Sequence, residues 1–144
     1  MDAASIDAIT EMDLARAALK QKARMVIKAV SAALGQLYPE GAYVALLCRE
    51  SDRPDTARIG GLYDAQHHGH IGPTRKGHAI YPPSRVGDWP LRRLPKRITR
   101  QHFGSHADGE RTMNDLLTEA YRAGVNFPYG RRGGLSYGPR IDIR

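Results

Sequence analysis

Five of the nine residues from Arg92 to Arg100 are basic, and they form the strongest cluster of chemically useful side chains in the chain. They are Arg92, Arg93, Lys96, Arg97 and Arg100, with Trp89 before them and His102 and Phe103 after them. Cationic side chains neutralise phosphates and release counterions, and aromatic faces stack on unpaired bases. The combination predicts a surface for single-stranded nucleic acid.

The same residues allow a second interpretation, which the sequence leaves open. The apolar members of this stretch, with Leu91, Leu94 and Ile98 beside the aromatic residues, would then anchor a loop to the protein core. The arginines of that loop would simply face water, because charged side chains are rarely buried.

A second basic and aromatic stretch lies nearer the C-terminus. Between Tyr129 and Gly138, the residues Arg131 and Arg132 alternate with tyrosine and glycine. This mixture is typical of flexible segments that contact RNA, so Arg131 and Arg132 are expected to extend the same binding surface. The alternative is a loosely held terminus without a partner.

A weak metal site is suggested by three histidines, His67, His68 and His70, which follow Asp64 within seven positions. Imidazole is a common ligand of zinc, nickel and copper. This cluster lacks the paired cysteines or the four-residue step between histidines that structural zinc sites use. A solvent-exposed turn is therefore the preferred interpretation, and no cofactor is expected.

A metal-independent ribonuclease or toxin-like enzyme is the catalytic alternative. Such an enzyme needs a general base, a general acid and a cation, and His102 and His106 are the candidates for the first two roles. Further groups of suitable type are His78, Arg100, Asp108 and Glu110. No spacing forces a base and an acid together, so the sequence favours a binding protein over an enzyme.

Other function classes lack their motifs. The chain has no phosphate-binding loop, no dinucleotide-binding glycine motif and no nucleophile elbow. Its single cysteine, Cys48, lies in an apolar run, which disfavours the thiolate and excludes an internal disulfide. An N-terminus with acidic but no basic residues argues against a targeting segment, and a cytoplasmic location is predicted. The longest uncharged stretch, residues 29–39, is too short to cross a membrane, so no membrane partner is expected.

The net charge of +7 is concentrated in the second half of the chain. Residues 1–72 hold eight Lys and Arg against nine Asp and Glu, whereas residues 73–144 hold fourteen against six. Twelve of those fourteen are arginine, whose planar fork binds phosphate with two parallel hydrogen bonds. A polyanion is therefore the predicted partner, and a solvated basic surface without a partner is the alternative.

The elements that would position these groups begin with a long helix over residues 10–37, and residues 3–9 either form a short preceding helix or extend this one. Its apolar residues recur every three or four positions, a capping box is predicted at Thr10, and Pro39 ends the pattern. This stripe packs either on the protein's own sheet or on a second copy of the chain, which would make residues 10–37 the contact of a homo-oligomer.

A β-meander is predicted over residues 42–71, with strands at 42–49 and 56–63 joined as a hairpin and a third strand around His70 and Ile71. Residues 72–105 are rich in proline and glycine and are predicted to form a long basic loop or a set of short edge strands. Pro95 excludes a continuous helix through Leu91, Leu94 and Ile98.

A second amphipathic helix is predicted over residues 108–123, capped by Asp108 and ended by Gly124. Residues 125–144 are predicted to be a Gly/Arg-rich tail without regular structure. The sequence thus predicts a single α+β domain over residues 1–144, with two helices on a small antiparallel sheet.

The predicted function is the binding of RNA or DNA with little sequence specificity. Two alternatives remain open, namely the small ribonuclease and a structural protein that self-associates through its long helix.

Overall fold

The computed structural model describes residues 2–39, 41–50, 53–63, 85–132 and 136–143. It is a mixed α+β structure, as predicted, with a long N-terminal helix, shorter helices and an antiparallel sheet. The helices are α1 (Ala3–Leu37), α2 (Arg85–Asp88), α3 (Lys96–Phe103) and α4 (Met113–Arg122). The strands are β1 (Tyr43–Glu50), β2 (Arg53–Tyr63), β3 (Tyr129–Arg132) and β4 (Ser136–Asp142). Within these ranges, no helix combines the length and the apolar composition that crossing a membrane requires.

Helix α1 extends beyond the core range 10–37, because residues 3–9 continue it, which is one of the two predicted alternatives. It begins at Ala3 because the side chain of Asp2 caps it by accepting the backbone N–H of Ser5 at 2.8 Å. Thr10, predicted to be the cap, lies inside the helix and donates its hydroxyl to the carbonyl of Ile6 at 3.0 Å. The helix ends as predicted before Pro39.

Only the second half of α1 joins the core. Ala23, Val30, Ala33 and Leu34 are buried, whereas every residue from Asp2 to Leu19 is exposed. The apolar stripe predicted along the whole helix is therefore exposed in its first part, and only the part from Ala23 onwards packs on the rest of the chain.

The predicted hairpin is confirmed, because β1 and β2 pair antiparallel from Tyr43 opposite Tyr63 to Glu50 opposite Arg53. The third strand expected at residues 70–71 lies outside the described residues. Among the described strands, the order is β2-β1-β4-β3, so the second neighbour of β1 is β4 rather than the next strand of a meander.

The predicted irregular tail at residues 125–144 is wrong for most of its length. β3 and β4 pair antiparallel, and β4 pairs with β1 through Val44 opposite Ile141. Ile141 is only 4% exposed. Here the glycine-rich strands β3 and β4 pair with each other, β1 pairs with the end of β4, and the core buries Ile141.

The predicted loop at residues 72–105 is also wrong where the structure describes it, from Arg85 onwards. Here α2 is followed by a 3-10 turn (Leu91–Arg93), by α3 and by a second 3-10 turn (Gly104–Asp108). Pro90 and Pro95 stand immediately before the first turn and α3, where their missing N–H groups cost no hydrogen bond. The interruption predicted at Pro95 is confirmed.

Helix α4 begins at Met113, and its cap is Thr112 rather than the predicted Asp108. The Thr112 side chain accepts the N–H of Asp115 at 3.0 Å, and the Asp115 carboxylate accepts the N–H of Thr112 at 3.0 Å. This reciprocal pair is a capping box. Gly124, with φ +91, follows the end of the helix as predicted.

Three side chains of α4 cover the outer edge of β2, which is the edge strand of the described sheet. Asn114 accepts the N–H of Ile59 at 2.8 Å, Thr118 bonds both backbone groups of Ala57 at 3.0 and 3.1 Å, and Arg122 donates to the carbonyl of Asp55 at 3.1 Å. The three helix residues are four positions apart, which corresponds to a rise of about 6.0 Å along α4. Their three partners on β2 are two positions apart, which corresponds to about 6.6 Å, so each helix residue comes level with its strand partner. The helix thereby satisfies backbone groups that an open edge would expose.

Candidate nucleic-acid interface

The basic cluster lies on the outer side of the turn and helix between Leu91 and Phe103. Leu91 and Leu94 are buried, Thr99 is fully buried and Ile98 packs against the core. The five basic residues between them are all exposed, namely Arg92, Arg93, Lys96, Arg97 and Arg100. The apolar anchors of the second interpretation are therefore present, while nucleic-acid binding by the exposed cations stays a prediction.

Two of the five cations have carboxylate partners. Arg92 Nε lies 2.6 Å from Glu110 Oε1, and Arg100 Nη2 lies 2.9 Å from Asp108 Oδ1. These pairs are exposed, so each contributes little to stability, but each lowers the local positive potential. The sequence did not reveal these pairs, since Asp108 was interpreted as a helix cap.

The other three cations, Arg93, Lys96 and Arg97, have no ion pair within the described part of the chain. Lys96 and Arg97 occupy the first turn of α3, which contains no acidic residue and has no side-chain cap. The unpaired N–H groups of that turn already give a helix N-terminus a partial positive charge, which favours anions over cations. Three like charges are thus concentrated where a bound anion would relieve their repulsion.

The two aromatic candidates differ in exposure. Trp89 is 42% exposed and directly precedes the basic turn, so its ring is available to a base. Phe103 is 9% exposed and belongs to the hydrophobic core, so it is not available for stacking as the sequence predicted. Its role here is to hold the end of α3 against the core.

Arg131 and Arg132 lie on a different element. They belong to β3, where Arg131 is opposite Tyr137 and Arg132 is opposite Ser136. The two basic stretches that looked alike in the sequence are therefore a helical segment and a sheet hairpin.

The two catalytic candidates, His102 and His106, line a groove of about 730 Å³ between α1, α3 and α4. His102 is half-buried, and its Nε2 atom has no hydrogen-bond partner among the described residues. His106 is exposed. In the described chain neither histidine is hydrogen-bonded to a carboxylate, and the nearby Asp108 and Glu110 bond arginines instead. The geometry therefore supplies no assembled acid and base.

The weak metal candidates, His67, His68 and His70, lie outside the described residues, as does His78. Over the ranges that are described, no group of three His, Cys, Asp or Glu side chains could hold a metal ion. Cys48 is half-buried on β1 opposite Ala57.

Comparisons of the chain with protein-family models, curated proteins and solved structures found no match.

Proposed function

We propose that the chain binds nucleic acid with little sequence preference through a basic surface formed by Trp89, Arg93, Lys96 and Arg97. The observation that carries this proposal is the set of three exposed cations at and just before the start of α3 that have no carboxylate partner among the described residues. Phosphates of a flexible strand would neutralise these cations and accept hydrogen bonds from the free N–H groups of the first turn. The Trp89 ring would stack on an unpaired base.

A single strand suits this surface better than a duplex. The cations lie on the 3-10 turn and the eight-residue helix α3, which Leu94, Thr99 and Phe103 hold against the core, and none of them projects on an extended arm. A flexible strand can place a phosphate at the helix start and a base on Trp89 together, whereas the stacked bases of a duplex are not available to the ring. Arg131 and Arg132, which belong to β3, would extend the contact with the nucleic-acid strand.

The experiment is a titration of a labelled single-stranded RNA, its DNA equivalent and a duplex, followed by fluorescence anisotropy at several salt concentrations. Each phosphate neutralised contributes about 0.7 to the slope of log affinity against log salt for single strands. Three unpaired cations therefore predict a slope of roughly −2 from this surface. A salt-independent affinity, or no binding at low salt, contradicts the proposal.

The informative variant is Arg97→Glu, which reverses one unpaired charge at the start of α3. Its matched control is Lys28→Glu, because Lys28 is also exposed on a helix and the net charge changes equally. The Arg97→Glu variant should lose most of the affinity, while Lys28→Glu should reproduce only the small effect of net charge. Equal losses would indicate non-specific attraction by the whole protein.

The ribonuclease alternative is tested in the same samples. The RNA should remain intact after prolonged incubation. Degradation that disappears in the His102→Ala or His106→Ala variant, with the fold retained, would instead identify an enzyme.

A further inference from the structure

The first half of α1 forms an exposed helical arm over residues 3–22, about 30 Å long. Its large apolar residues Ile9, Met12 and Leu19 are 46%, 61% and 56% exposed. Met12 and Leu19 lie on the same face of α1 as Ala23, Val26 and Val30, which point towards the core. Successive residues of this set are three, four or seven positions apart, so they share one side of the helix. This face is thus apolar along the whole helix but covered only from Ala23 onwards.

Charge along α1 is strictly divided. Its first part carries only acidic residues, which are Asp2, Asp7, Glu11 and Asp13, and the following part carries only basic ones, which are Arg16, Lys20, Lys22, Arg24 and Lys28. Two such helices laid parallel would place like charges beside each other. Laid antiparallel, they would place the acidic part of each beside the basic part of the other.

We propose that the uncovered face of the arm binds the arm of a second copy of this chain in antiparallel orientation. The inference is independent of the proposed nucleic-acid binding, because it involves none of Trp89, Arg93, Lys96 and Arg97. The pairing buries the apolar face, which water otherwise surrounds, and the division of charge selects the orientation.

The sequence of the arm also specifies a register. If Met12 lies opposite Ala15 of the second copy, Ala8 lies opposite Leu19, so that each large side chain meets a small one. Alternation of large and small residues lets two helices approach closely. In the same register Asp7 comes level with Lys20, and Asp2 falls within one residue of Arg24. The hydrophobic and the electrostatic patterns therefore favour one arrangement.

The groove between α1, α3 and α4 lies where the arm leaves the core, and Leu19, Lys22 and Met25 line its α1 side. The antiparallel register brings the first turn of the second copy level with Lys22 and Met25. Lys22, Arg111 and Arg122 line this groove together with one acidic residue, Glu119, which pairs with Arg111. Its lining therefore carries a net positive charge beside the level of the second copy's Asp2. The two globular parts would lie at opposite ends of the paired arms, so they do not collide.

The first test is the mass of the full-length protein in solution, by light scattering after nuclease treatment to remove carried nucleic acid. The expected mass is twice the 15.9 kDa of one chain. A monomer at the highest concentrations reached, or a larger defined oligomer, overturns the proposal.

The second test compares Leu19→Lys with Leu14→Lys. The two leucines are 56% and 66% exposed, but Leu14 lies on the other side of the helix. Leu19→Lys should raise the dimer dissociation constant at least tenfold, and Leu14→Lys should change it less than twofold. Equal effects overturn the assignment of the face. Circular dichroism of both variants checks that the helix is retained.

The third test determines orientation by thiol crosslinking in a Cys48→Ser background. In the proposed register, position 12 of one copy lies about 4.5 Å along the axis from position 12 of the other, whereas the two copies of position 8 lie about 16 Å apart. A short crosslinker should therefore join Met12→Cys chains but not Ala8→Cys chains. Crosslinking at both positions shows a parallel dimer, and absence of crosslinking at position 12 excludes this register.

Discussion

The side-chain oxygen of Asn114 accepts the backbone N–H of Ile59 at 2.8 Å, and both residues are buried. The Asn114 amide nitrogen also donates to Asp88 Oδ1 at 2.7 Å. One side chain of α4 therefore joins the edge of β2 to the helix α2 that leads into the basic surface.

Replacing Asn114 with leucine should destabilise the fold. Leucine has a similar size but no polar group, so the Ile59 N–H loses its only partner in the described residues, in a place that water does not reach. An unsatisfied buried donor costs about 1–3 kcal/mol, and the free energy of unfolding should fall by that amount in urea titrations. Asn126→Leu is the control, because Asn126 is exposed. Equal stability of the two variants would show that the hydrogen bond is unimportant.

Gly87 allows Asn114 to occupy this position. A Cβ atom at Gly87 would lie 2.5 Å from the Asn114 side-chain oxygen, which the bond to Ile59 holds in place. Gly87→Ala should therefore lower the free energy of unfolding by about 1–3 kcal/mol, the usual cost of overpacking. Gly109→Ala is the matched control, since its Cβ would meet nothing closer than 3.7 Å. A stable Gly87→Ala variant would mean that α2 shifts to accommodate the methyl group.

Local patterns predicted those elements of the fold that local interactions determine. Helix α1, the β1-β2 hairpin and α4 each have a clear periodicity, and the structure contains all three. The two segments whose structure was predicted wrongly, residues 85–105 and 125–144, depend on distant partners. The N–H of Leu91 bonds the carbonyl of Arg111 at 2.8 Å, and β4 pairs with β1 from nearly 100 residues away. Proline and glycine content indicates irregular structure only until such partners are known.

The composition of the basic cluster was evident from the sequence, but its charge balance was not. The ion pair between Arg100 and Asp108 spans eight residues across the end of α3, and the pair between Arg92 and Glu110 spans eighteen. Residues that are neighbours on a helix surface are three or four positions apart, and neither ion pair has that spacing. No sequence rule therefore predicts these two ion pairs. Only the structure separates the partnered arginines from Arg93 and Arg97.

Removing one of these carboxylates should strengthen nucleic-acid binding if the proposed surface is correct. Glu110→Gln would free Arg92, whose Nε now lies 2.6 Å from the Glu110 carboxylate. An exposed ion pair is weak, so we expect an affinity increase of roughly twofold to fivefold at low salt. Anisotropy titrations measure it, with Asp55→Asn as the control, because Asp55 is exposed on β2, its carboxylate has no ion pair among the described residues and the net charge changes equally. An equal increase in both variants would indicate only a general charge effect.

Acid should loosen the start of α1 through Asp2. The backbone N–H of Ser5, which bonds the Asp2 carboxylate, lowers the pKa of that group below its ordinary value. Because the folded state lowers this pKa, the ionised cap stabilises the helix at neutral pH. The stabilisation is lost as the pH falls through the lowered pKa. The amide resonance of Ser5 should therefore report fraying of the first helical turn under acidic conditions.

The Asp2→Asn variant separates this effect from the other acids of the arm. Asparagine also caps a helix by accepting an N–H, but it does not titrate, so its Ser5 resonance should lack the acidic transition. Asp7, Glu11 and Asp13 remain in that variant, and any transition they cause will persist. Asp2→Ala should instead fray the first turn at every pH. If the transition is the same in the wild type and in Asp2→Asn, protonation of Asp2 is not its cause.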